Sequence, residues 1–132
     1  MDEMNVIRKR EEIPVEDTWA LEDVYRNNEE WEAELATLNA DKAELEAFAG
    51  HLSDSAETLF NYLNKMELTN VKALSLGNYA MRRSDEDTRN AAYQAMTGRF
   101  MSIAVALDTA TSFETPEIMA ISDETLEGFY KA

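Results

Sequence analysis

The sequence predicts an all-α fold, a multi-helix antiparallel bundle-like lobe, and two observations carry that expectation. Only four glycines and two prolines interrupt 132 residues. The long intervals between them repeat apolar residues at steps of three and four, the spacing of a helix face, rather than at the steps of two that mark a strand. The length suits one compact domain, able to bury about two-thirds of the surface that its unfolded chain exposes. Residues 1–16 are polar, mixed in charge and held extended at Ile13 by Pro14, so they are expected to form a flexible or surface-lying arm. Residues 17–132 make the helical lobe.

Taken in order, Asp17 can cap a short helix through Tyr25. Asn27 or Asn28 is a good N-cap for the next helix, with Glu29 and Glu30 at the positive end of its dipole. Its inner stripe is Trp31, Leu35, Leu38, Lys42, Leu45, Ala49 and Leu52, with only Lys42 out of character, and Gly50 suits a left-handed stop. A second helical stretch opens near Ser53 or Ser55 and carries Leu59, Leu63 and Met66. Its pattern loses phase at Thr69-Asn70 before Val71, Leu74 and Ala80, which predicts a break or kink between residues 65 and 70. Arg82 and Arg83 suit a last turn, and Ser84 with Asp87 resembles a capping box, so Asp85, Glu86 and Asp87 are expected at the start of a new helix.

That helix is expected from Thr88 to about Ser112. Between Phe100 and Ala110 it is apolar on most sides and should be buried all round. Pro116 fits the first turn of a short helix, and Ser122 with Thr125 opens a last amphipathic piece bearing Leu126, Phe129 and Tyr130. No Gly, Asn or Pro closes this pattern, so the expectation is a lobe truncated at its C-terminal end.

The 27 acidic and 12 basic side chains leave a formal net charge of -15, a field that repels nucleic acid and anionic lipid and favours neutral or basic partners. With no cysteine, thiolate nucleophiles, thiolate metal sites and disulfides are excluded. The N-terminus lacks a signal-like apolar stretch and no segment reaches the ~20 apolar residues of a membrane span. The expected compartment is the cytoplasm, with no membrane and no nucleic-acid partner.

Candidate chemistry is sparse. His51 is the sole histidine, so a His-Glu-x-x-His zinc site is out of reach within the chain, and a Ser-His-Asp triad would have to use His51 with no Gly-x-Ser-x-Gly elbow to present its serine. Glu30 and Glu34 share a helix face, but a di-iron bundle needs Glu-x-x-His on two helices and the sequence has none. Gly50, Gly77, Gly98 and Gly128 fit no phosphate-binding pattern. Asp85 and Asp87 could do acid/base work only with a raised pKa, which Arg82 and Arg83 oppose, so capping and charge balance is the preferred reading. Met66, Met81, Met96, Met101 and Met119, with Tyr62, Tyr79 and Tyr93, fall at helical spacings and are assigned to a core in preference to a methionine-lined peptide groove. No catalytic, cofactor-binding or metal residue is assigned.

Three segments in order resemble the oligoendopeptidase F family. REEIPVEDTWALEDVYRNNEEWEAEL (Arg10 to Leu35) resembles its opening, an Ile-Pro pair, then Trp-x-Leu-x-x-x-Tyr and an acidic stretch with a second Trp. NYAMRRSDEDTRNAAYQAM (Asn78 to Met96) resembles its Tyr-Ala and Asp-Glu-Asp-Thr segment, and TSFETPEIMAISDETLEGFY (Thr111 to Tyr130) its Ser-Phe-x-x-Pro-Glu segment. The resemblance implies the N-terminal lobe of a larger helical zinc metallopeptidase that admits oligopeptides to a channel, with its zinc ligands and general-base glutamate further along such chains. Zinc then belongs to the full-length parent, and the partners are the catalytic lobe and the parent's oligopeptide substrates. An isolated lobe should leave apolar surface open along Ile103 to Phe113 and at Leu126-Phe129-Tyr130, and should be prone to self-association. The alternative is a free-standing acidic helical interaction module, such as a homodimer.

Overall fold

In the computed structural model, which describes residues 6–132, the periodicity becomes five α-helices: α1 (Asn28–Glu46), α2 (Ala56–Glu86), α3 (Ala91–Ala110), α4 (Glu114–Ala120) and α5 (Asp123–Tyr130). Three single 3-10 turns precede them, at Arg10–Glu12, Val15–Asp17 and Leu21–Asp23, and no strand occurs among the described residues. The first five residues of the expected arm lie outside that range. From residue 6 to Pro14 the chain follows the surface, with Arg10 within 3.4 Å of Glu86.

The first three helices pack up, down and up. Trp31 at the start of α1 meets Leu76 late in α2, while Leu45 near the end of α1 shares a core with Tyr62 near the start of α2. Phe100 of α3 lies against Gly77, and Phe113 beyond α3 stacks near Tyr62, at 5.5 Å between ring centroids, so α3 runs antiparallel to α2. Two apolar clusters result. The larger surrounds Trp31, Leu38, Leu76, Tyr79 and Phe100; the smaller joins Leu45, Leu52, Tyr62 and Leu107. α4 closes the smaller one, through Ile118 and through Glu117, whose carboxylate accepts from the Gly50 N–H.

Capping follows the sequence at several ends. Asn27 is the N-cap of α1 and accepts from the Glu30 N–H at 2.9 Å; Gly50 takes φ 83°, ending the turns that follow Glu46. Pro116 lies in the first turn of α4, and the Ser122 hydroxyl accepts from the Thr125 N–H at the head of α5.

Other expectations are corrected. The helix expected from Asp17 to Tyr25 is only the 3-10 turn at Leu21–Asp23, because so short a segment is marginal by itself and burial of Leu21 and Tyr25 decides its path. In the α1 stripe Asp41, not Lys42, holds the inward position, and Ala49 is exposed. No break interrupts α2, which is continuous for 31 residues: Thr69 is buried, but its hydroxyl donates to the Lys65 carbonyl at 2.8 Å, leaving no polar group unsatisfied. The Ser84 cap does not form. Asp85 and Glu86 finish α2, and Asn90 caps α3 by accepting from the Ala92 N–H.

The all-round burial expected of residues 100–110 is also absent, since Phe100 and Leu107 are buried while Met101 and Val105 are exposed. Ile103 and Phe113 pack inward, Leu126 and Phe129 are half-buried, and Tyr130 is exposed. The main uncovered apolar surface lies instead on α2, at Phe60, Leu63, Leu68, Val71, Leu74 and Met81. Met66, Met96, Tyr62, Tyr79 and Tyr93 serve the core as assigned, whereas Met81, Met101 and Met119 face solvent.

α2 and α3 approach closely at Gly77. A Cβ placed there would lie 2.8 Å from two ring carbons of Phe100, itself held in the larger cluster, so the ring could not stay. We expect Gly77→Ala to destabilise the fold by about 1–3 kcal/mol through overpacking. Gly98→Ala, in α3 with open space around it, should stabilise by roughly 0.5–1 kcal/mol. Urea unfolding of both variants measures the contrast, and equal effects would contradict the packing described.

Candidate functional site

The Asp85-Glu86-Asp87 cluster sits where α2 ends, and each carboxylate has its own arginine. Asp85 accepts from Arg82 at 3.3 Å, Glu86 from Arg83 at 3.3 Å, and Asp87 from Arg89 at 2.9 Å. Arg89 hydrogen bonds hold the Asp87 carboxyl below its ordinary range. Acid/base work by a carboxylate pair needs two carboxyls that face one reacting atom, whereas here each acid turns to a different arginine. Three carboxylates at the negative end of a helix are unfavourable by themselves. Arg82 and Arg83, one turn earlier, offset them.

The arm folds against this junction. Arg10, Ile13, Thr18 and Trp19 form, with Asp85 and Glu86, a shallow pocket of about 190 Å³. Trp19 lies under the Arg82 guanidinium, 5.3 Å from ring centroid to cation, and Arg83 lies over Tyr79 at 5.2 Å. Tyr79 in turn meets Tyr25 edge-to-face at 5.4 Å. Nearby, Arg83 Nε and Glu86 Oε1 are buried without a hydrogen-bond partner, although Arg10 supplies charge at 3.4 Å.

The other candidates are separated. His51 is exposed and its Nδ1 is 2.8 Å from Asp54 Oδ2. Glu30 binds Arg26 beside the α1 cap, and the phenol of Tyr62 donates to Glu114 at 2.7 Å. Burial, reinforced by Glu114, pushes the Tyr62 phenol well above its ordinary value, so it stays protonated and serves as a donor.

No family model matches the chain, and no solved structure does. Curated proteins do match. Oligopeptidase PepF of Bacillus subtilis strain 168 is 32% identical over 125 residues, covering 95% of this chain and 19% of PepF. The plasmid oligoendopeptidase F of Lactococcus lactis subsp. cremoris is 36% identical over 118 residues, 89% of this chain and 20% of that protein. The chain is similar to a segment of oligoendopeptidase F-family proteins. Group B oligopeptidase PepB of Streptococcus agalactiae is more distant, 29% identical over 112 residues. The chain spans about a fifth of the length of these relatives.

The zinc implied by the likeness to oligoendopeptidase F finds no fitting donor set among the described residues. The chain's one histidine is engaged with Asp54, and among the described residues no group of three or more His, Asp or Glu side chains is placed to hold a metal ion. The oligoendopeptidase-like segments serve the scaffold instead: Leu21, Tyr25 and Trp31 from the first, and Tyr79, Ala80 and Met96 from the second, meet in the larger core cluster.

Sequence reasoning missed the one charged residue that is buried among those described. Asp41, on the inner face of α1, accepts from Lys65 at 2.7 Å and from Lys72. Lys65 also reaches Glu44 at 2.7 Å, and Lys72 donates to the Thr37 hydroxyl at 2.8 Å. Lys42 as the odd member of an apolar stripe was the available signal, one residue from the true position. Burial pushes the Asp41 carboxyl up, but the two lysines together outweigh it and hold the carboxyl below its ordinary value. A depressed folded-state pKa gives stability that is complete above the unfolded value, about 4, and is lost as pH falls through the lower folded value.

Asp41→Asn should therefore cost about 2 kcal/mol near pH 7, less than a fully enclosed pair would because both lysines reach solvent. Its deficit relative to wild type should shrink as the pH approaches 2. Denaturant unfolding across that range tests this, and a deficit independent of pH would assign the loss to shape rather than charge.

Proposed function

We propose that this chain is the N-terminal helical lobe of an oligopeptide-cleaving zinc metalloendopeptidase of the oligoendopeptidase F type. In this reading residues 17–132 form the lobe and residues 1–16 its flexible or surface-lying arm. The lobe lends a wall to the channel that admits oligopeptides, while the zinc ligands and the general base belong to another part of the polypeptide. The parent works in the cytoplasm, and the catalytic lobe is this segment's partner.

The observation that carries the proposal is the match of 84–95% of this chain to about a fifth of proteins named as oligopeptidases. Two features agree with it. The three carboxylates of the Asp85-Glu86-Asp87 junction are each paired with an arginine, which suits a scaffold. The chain's longest helix also keeps a row of apolar side chains in the open, as a lobe that packs on something larger would.

An antibody raised against the 15.0 kDa segment tests the proposal in source cells. The expected band is about five times that mass, since the segment spans about a fifth of its relatives. Material captured with the antibody should cleave a quenched fluorescent oligopeptide and lose that activity to a zinc chelator. A native product of 15.0 kDa, or a large product that cleaves no oligopeptide, would overturn the reading.

A further inference from the structure

α2 is apolar on two opposite faces, and this chain covers one. Tyr62, Met66, Thr69, Leu76 and Ala80 turn inward. Phe60, Leu63, Val71, Leu74 and Met81 form a second row on the far side, each between 43% and 66% exposed. Glu67 and Asn78 complete it, so the row runs 60, 63, 67, 71, 74, 78, 81. Those steps of three and four are the pattern of a seam between two packed helices. At 1.5 Å per residue the row is about 32 Å long. Beside it a groove of about 430 Å³ opens between Leu74, Gly77 and Met81 of α2 and Phe100 of α3.

Charge is nearly absent from this face. The whole chain is 30% charged, but residues 60–81 hold only Lys65, Glu67 and Lys72. Both lysines turn to Asp41, which leaves Glu67 as the single charge on the open side. Depletion of charge at the centre of a patch is a mark of a protein interface core.

The occupant follows from charge and length. A second copy would bring another net charge of -15 against the first, and anionic lipid is repelled by the same field. The relatives, by contrast, have about four-fifths of their length outside the matched region. We infer that the outer row of α2 is the docking seam for an amphipathic helix from the remainder of the longer polypeptide. This rests on the chain being a lobe of a larger peptidase. The incoming helix carries its own apolar row at the same spacing, with a basic residue facing Glu67.

Leu74→Cys and Val71→Cys test the seam. Both positions are on the open face, away from the core, and the 132-residue chain has no other thiol. The rate of maleimide alkylation under native conditions is compared between this chain and the full-length product carrying the same variant, each normalised to its rate in urea. In the long product, mass mapping locates the modified site. Docking predicts alkylation at least about tenfold slower in the long product at both positions. Equal rates in a long product would overturn the seam and leave the lobe reading intact. A native product of 15.0 kDa would overturn the lobe reading and the seam with it. Protection already present in the 132-residue chain, rising with its concentration together with a doubled particle size, would assign the face to a second copy and overturn the inference.

Discussion

The lobe depends on the close approach of three helices at one level, where Trp31, Leu76, Gly77 and Phe100 meet. The indole N–H of Trp31 donates to the Leu76 carbonyl at 2.8 Å, which gives a fully buried ring its one polar partner and fixes α1 on α2. The next residue, Gly77, lacks the Cβ that would exclude the Phe100 ring, so α3 settles on α2 at the same height. Arg99 adds a cation over the Trp31 ring, at 5.6 Å from its centroid, and pairs with Glu32 of α1. Directional bonds and a missing methyl group thus set the register; apolar burial supplies most of the driving force.

Helix content was legible in the sequence because few residues oppose it and because caps such as Asn27 and Ser122 have short-range causes. The phase of α2 was not legible as one helix. Its apolar residues belong to two rows on opposite faces, and their superposition imitates a break near Thr69. The junction after α2 was misplaced for a related reason: Ser84 followed by Asp87 has the composition of a cap, but contacts of Arg83 with Tyr79 and of Glu86 with Arg10 carry the helix a further turn. Long-range contacts override local chemistry there.

The functional content was legible chiefly as likeness. Spacing alone ruled out several chemistries, and the oligoendopeptidase F resemblance rested on short segments that the structure gathers mostly into the core. The Asp41 cluster escaped notice because a lone acid beside a lysine on a helix looks solvated until the facing helix brings Lys65 and Lys72. That information lies more than twenty residues away in the chain.

The same cluster has a consequence for how the molecule comes apart. Asp41, Lys65, Thr69 and Lys72 form a polar layer across α1 and α2, with the larger apolar cluster on one side and the smaller on the other. The clusters therefore hold separate reserves of buried contact, ten buried residues against four. Cooperativity is weakest across such a layer. The end built from Leu45, Leu52, Tyr62 and Leu107 can loosen, carrying α4 with it, while the Trp31 end keeps its packing.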